Sequence, residues 1–219
     1  MYKTINKIGF GSGLIAFAST IAFVIVQLLQ VLGVFHFPLD EILIYSSSLC
    51  IVLPFVLEIL ALHYIAPDDK KIWSHAALVF SIFYAVFVIA NYVVQLATVI
   101  PMKLNGAGNE IRILEQTPHS MFWDFDALGY IFMGLAMLAA VPVFERKGIQ
   151  KWVRISFLAN ALVTPLITFV YFYPAFSEKL LFLGSPWAIT APLAMLMLAI
   201  MFKKNNKAGK PTPEALIEV

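Results

Sequence analysis

Six long apolar stretches constrain this chain more than anything else in it. A bilayer core of about 30 Å takes about 20 apolar residues at 1.5 Å of helical rise each. The stretches run from about Ile8 to Phe35, Ile42 to Ala66, Trp73 to Ile100, Phe125 to Phe144, Trp152 to Tyr173 and Pro186 to Phe202. They predict an all-α integral membrane protein, a bundle of six transmembrane helices.

Charge predicts the orientation. The six stretches leave seven polar pieces. The odd-numbered pieces hold Lys3, Lys7, Lys70, Lys71, Arg146, Lys147, Lys151, Arg154, Lys203, Lys204, Lys207 and Lys210, twelve in all. The even-numbered pieces hold three, Lys103, Arg112 and Lys179. Lys/Arg-rich loops stay in the cytoplasm, so both termini are expected there. The expected location is the plasma membrane, of the bacterial inner-membrane kind, with the lipid bilayer as one partner.

Hydrophobic residues make up 61% of the chain and charged residues 13%. Soluble domains average about 45–50% and about 25%. Residues 1–202 read as one six-span domain. Residues 203–219, carrying Lys, Asn, Gly and Pro, read as a disordered basic cytoplasmic tail. The basic inner loops follow from topology and suit anionic headgroups, and give no reason to expect nucleic acid. Cys50 is the single cysteine, which excludes an intrachain disulfide. Lys3, Lys7 and Ala16-Phe17-Ala18 resemble a secretory signal. The apolar run continues to Phe35, however, so this segment is expected to remain as an uncleaved first span. Trp73, Trp123, Trp152 and Trp187 fall at span ends, where amphipathic rings favour the headgroup level.

Polar side chains inside spans are costly and tend to face the bundle interior. One set lies in the outer leaflet. Gln27 and Gln30 share a face of the first span, and Asn91 and Gln95 a face of the third, with Tyr84 and Ser81 further along that stripe. Asp126 and Tyr130 open the fourth span, and Thr168 and Tyr171 end the fifth. Four helices thus place amide, phenol and carboxylate groups at one depth. Convergence of these faces predicts an outward-opening polar pocket lined by Gln27, Gln30, Asn91, Gln95, Asp126 and Tyr130. The competing reading is that each pair cements neighbouring helices, at about 0.6 kcal/mol per interhelical hydrogen bond.

A second set lies toward the cytoplasm. Glu58 is the only carboxylate well inside a span. Desolvation favours its neutral form unless a cation is close. Pro54, one turn earlier, leaves the carbonyl of Cys50 without its helical donor, and Pro165 does the same for Ala161. Asn160 sits at a depth similar to that of Glu58. Glu58 with Asn160 is therefore the candidate proton-coupling site. The alternative is a packing pair joined by a hydrogen bond.

Asp124, Asp126, His119, His36, Asp40 and Glu41 gather on the outer side, but their spacing matches no metal motif, and no metal site is expected. Asp124 is expected to cap the fourth helix, with Asp126 near its positive end. Gly9-Phe10-Gly11-Ser12-Gly13 starts a span and follows no strand, so it is not a nucleotide loop. Gly9 and Gly13 permit close helix contact instead. No cofactor is expected. The long outer segment from Pro101 to Asp124, with the turn Asn105-Gly106-Ala107-Gly108-Asn109, is expected either as a lid or as a surface excursion.

Two functions follow as expectations. The first is binding or translocation of a small solute or lipid-like molecule through the outer pocket, with Glu58 coupling protons. The second is a membrane-embedded enzyme on a lipid-like substrate, using Asp124, Asp126 or Glu58 as acid or base. An enzyme of this kind needs titratable groups within reach of one another. Glu58 and the outer acids are more than about 15 Å apart by helical rise, which favours the first.

Overall fold

A computed structural model describes residues 1–208. Its long helices are α1 (Tyr2–Val31), α2 (Leu39–Ile65), α3 (Lys71–Val94), α4 (Met121–Ala140), α5 (Gly148–Phe172) and α6 (Trp187–Ala208). Among the described residues there is no strand. All six helical segments are long and apolar enough to cross a membrane. The ends of α6 differ from expectation. It runs on through Lys203 to Ala208, so the first residues of the expected tail are helical. The remainder of that tail lies outside the described residues.

Each helix packs against its neighbours in sequence, and α6 returns to pack against α1. The six helices therefore form a closed ring, with a long connection between α3 and α4 and shorter ones elsewhere. Large apolar side chains such as Ile15, Leu53, Val86, Leu162 and Ile189 face outward. Asn6, Glu58, Ser81, Asn91, Asp126 and Asn160 are buried inside. This apolar exterior around a polar interior suits a hydrocarbon surround.

The close contacts are made by small residues. The buried stripe of α1 is Asn6, Gly9, Ser12, Gly13, Ala16, Thr20 and Phe23, at helical spacing. A Cβ on Gly9 would stand 2.6 Å from the Phe202 ring, and one on Gly13 would collide with the Glu58 carboxyl and with Ala199. The two glycines thus let α1 settle against α2 and α6, as their spacing predicts.

Helix ends explain the connections. Gly33, at φ +68, closes α1, with the Gly33 N–H donating to the Gln30 carbonyl and the Val34 N–H to the Leu29 carbonyl. Pro101 has no N–H and its ring crowds the carbonyl of Ala97. The turn before it, Gln95–Val99, widens to π geometry before the helix resumes at Ile100–Leu104. At the end of α4, Arg154 donates to the carbonyls of Val141 (3.1 Å) and Phe144 (3.4 Å), and Lys70 to that of Val143 (3.3 Å). Cations are favoured at a helix C-terminus.

The two charge groups of the sequence separate in space. Lys70 of the α2–α3 turn reaches the α4–α5 turn, and Lys203 lies 5.3 Å from the Phe10 ring centroid. At the other end of the ring Lys103 bridges Glu41 (3.5 Å) and Glu115 (3.6 Å).

Candidate functional site

The interior toward the Lys103 end of the ring is built around Asp126. It stands one turn into α4, on the face toward the ring centre, and is 4% exposed. Tyr92 of α3 donates its hydroxyl to Oδ1 at 2.7 Å, and Tyr171 of α5 donates to Oδ2. An ionised carboxylate is acceptor-only, and two phenol donors match it on both oxygens. Asp126 lines a cavity that offers water centres about 20 Å³, room for about one water.

Five of the six helices line this space. Phe23 comes from α1, Ser48 and Ile51 from α2, and Tyr84, Val88 and Tyr92 from α3. Tyr130 and Met133 join Asp126 from α4, and Trp187 comes from α6. Helix α5 has no residue among the described lining and reaches the site through the hydrogen bond from Tyr171 to Asp126. The rings brace one another. Tyr130 meets Trp187 edge-on at 5.1 Å, Trp187 meets Phe23 at 5.8 Å, and Tyr130 lies 5.9 Å from Tyr171. The indole N–H of Trp187 has no partner among the described residues. No Lys, Arg or His is among the lining residues.

The six residues of the expected pocket do not share this cavity. Asp126 and Tyr130 line it. Asn91 and Gln95 are buried but turned to the outer loop. Asn91 donates to the Gln116 side chain (3.0 Å), while Gln95 donates to the Leu114 carbonyl (2.7 Å) and accepts from the Gln116 N–H (3.2 Å). Gln30 donates to Asp40 (2.8 Å), cementing α1 to α2. Gln27 is exposed. An amide near a span end has loop groups within reach as well as helix partners, and here the loop groups are the ones it meets.

Tyr92 was not singled out from the sequence. It follows Asn91, about 100° round the helix, and so falls off the polar stripe that drew attention there. Trp187 and Trp123 were read as headgroup anchors, yet each is only 8% exposed. Trp73 and Trp152 are exposed, at 48% and 58%. The Trp123 ring is held inside by Tyr171, whose backbone carbonyl accepts from the indole N–H at 3.3 Å.

The outer segment folds down over the ring. Ile111 is 1% exposed, and the bonds from Asn91 and Gln95 hold the strand of chain that follows it. The α4 N-cap is Ser120, whose hydroxyl accepts from the Trp123 N–H at 3.1 Å. The capping expected of Asp124 is thus made four residues earlier, because the helix begins at Met121. Asp124 is exposed and does not face the space that Asp126 lines. His36 and His119 are also exposed, and no group of three His, Cys, Asp or Glu side chains assembles among the described residues.

Glu58 lies deeper, on α2, fully buried against Gly13 and Ala199. Neither carboxyl oxygen has a hydrogen-bond partner among the described residues. The expected bond to Asn160 is absent. Asn160 donates to the Met137 sulfur (3.1 Å) and accepts from Thr190 (2.9 Å), tying α5 to α4 and α6. Glu58 is ten residues beyond Ser48 on α2, about 15 Å of rise. The fully buried Phe55 lies between them, in edge contact with Tyr84 at 5.4 Å. Asp126 and Glu58 thus stand at two depths of the interior with an apolar layer between, while Asp40, also buried, bonds to Gln30 near the helix ends.

Comparison of the chain with known protein families, curated proteins and solved structures finds no match.

Proposed function

We propose that this chain is a six-span protein of the plasma membrane, with both ends cytoplasmic, that binds a small solute in the Asp126 cavity and carries it across. The observation that carries this reading is the buried Asp126 carboxylate, held by Tyr92 and Tyr171 and lining a cavity to which five of the six helices contribute. Binding sites of membrane proteins gather costly polar groups at a protein-lined interior space. The twelve-to-three division of Lys and Arg supports the orientation, which sets the cavity in the outer half.

Glu58 is the group that would couple solute movement to protons. Among the described residues its oxygens have no partner and no cation is paired with it, so a proton is the natural neutralising partner. The apolar layer around Phe55 separates it from the cavity, as a barrier between two access routes requires. The reading favours a carrier over acid–base catalysis because Asp126 is the single carboxyl among the described residues lining the cavity.

The test is a panel of small cationic, anionic and neutral polar solutes applied to the purified chain in detergent. Thermal unfolding midpoints are read for the wild type and for Ser48→Phe, which fills the cavity. At least one solute is expected to raise the midpoint of the wild type and not of the variant. The same effect of every solute on both proteins would reject the reading.

A further inference from the structure

The wall of the Asp126 cavity also bears on what it binds. We propose, building on the solute-binding reading above, that the ligand is a protonated amine whose ammonium head sits beside Asp126.

The wall carries one carboxylate and, among its described lining residues, no cationic side chain. With a phenol donor on each oxygen, Asp126 is bonded as a carboxylate is, and no described lining residue compensates a charge there, so a cation is the natural complement. The remaining wall is largely aromatic: Phe23, Tyr84, Tyr92, Tyr130 and Trp187. Ring faces attract organic cations, and the attraction grows as water is removed. Hard metal cations call for a shell of six or more oxygens. Here Asp126 is the one anionic ligand among the described lining residues, and the other side-chain oxygens are the neutral hydroxyls of Ser48 and three tyrosines, which are poor ligands for such an ion. An alkylammonium meets both kinds of surface, since its N–H groups face the oxygens and its methylenes face the rings. An anion is disfavoured by Asp126 itself. The head fits as the structure stands, because the cavity accommodates about one water. The alkyl part of any such amine requires the Tyr130–Trp187 contact to part.

The experiment compares isosteres on the full-length wild-type chain in detergent at neutral pH. tert-Butylammonium is set against tert-butanol, and methylammonium against methanol, with sodium chloride matching ionic strength. The amines are expected to raise the unfolding midpoint by about 3 °C when well above their dissociation constants, while the alcohols and sodium chloride leave it in place. Asp126→Asn is expected to abolish the amine shift. The isostere comparison needs no variant, so it decides the matter even if Asp126→Asn does not fold. Equal shifts by alcohol and amine, absent in Ser48→Phe, would overturn the amine class while leaving solute binding intact. An amine shift that survives in folded Asp126→Asn would overturn it too. Absence of any shift across all charge classes would overturn both.

Discussion

Asp126 and Glu58 are both buried carboxyls, and their surroundings set them apart. Asp126 has a donor for each oxygen, so removing one donor leaves a buried acceptor short. Tyr171→Phe and Tyr92→Phe are each expected to cost about 1–2 kcal/mol of stability. In a double-mutant cycle with Asp126→Asn the losses should be strongly non-additive, because all three groups share one network. Additive losses in thermal unfolding would show that the phenols do not serve the carboxylate. Glu58 has no hydrogen bond to lose. Glu58→Leu is therefore expected to hold or raise the unfolding midpoint, while proton-dependent uptake disappears in both Glu58→Leu and Glu58→Gln. A fall of several degrees in Glu58→Leu would contradict the isolation of this side chain. The sequence made the polarity of these positions legible, but not their partners. Asn91 and Gln95 sit on one buried face as helical spacing predicts, yet what meets them is a loop more than 15 residues away in sequence. Spacing along one helix carries no information about that.

At the scale of elements, the span number and approximate limits were readable because about 20 apolar residues admit few alternatives in a bilayer. The ends were less so. Helix α4 starts at Met121 because Ser120 supplies a capping oxygen, a stronger local cue than the acid at Asp124. Glycine spacing in α1 did foretell a close contact, and the contact can be tested. Gly13→Ala places a methyl against the Glu58 carboxyl and Ala199 and is expected to cost about 1–3 kcal/mol. Gly11 meets nothing within 4 Å, so Gly11→Ala should be neutral or stabilise by a few tenths of a kcal/mol. Equal unfolding midpoints for the two variants would mean that α1 does not pack through its Gly9–Gly13 face.

For the whole molecule, closure of the ring turns a linear alternation of loops into two chemically distinct ends. Lys70, Arg154 and Lys203 gather at one end, and the Lys103–Glu41–Glu115 cluster marks the other. A reporter fused after Val219 is expected to read cytoplasmic, and a cysteine at Asn105 to be labelled by an impermeant reagent in intact cells. Labelling at Asn105 only after lysis would invert or dismantle the topology. The cavity itself is tested most directly by a cysteine at Ser48, in a Cys50→Ser background that removes the exposed native thiol. A small, impermeant, cationic thiol reagent added outside intact cells is predicted to modify Ser48→Cys, more slowly than Asn105→Cys. An Asn105→Cys protein labelled from outside beside a Ser48→Cys protein that is inert, or reached only from the cytoplasm, would contradict an outward-facing site.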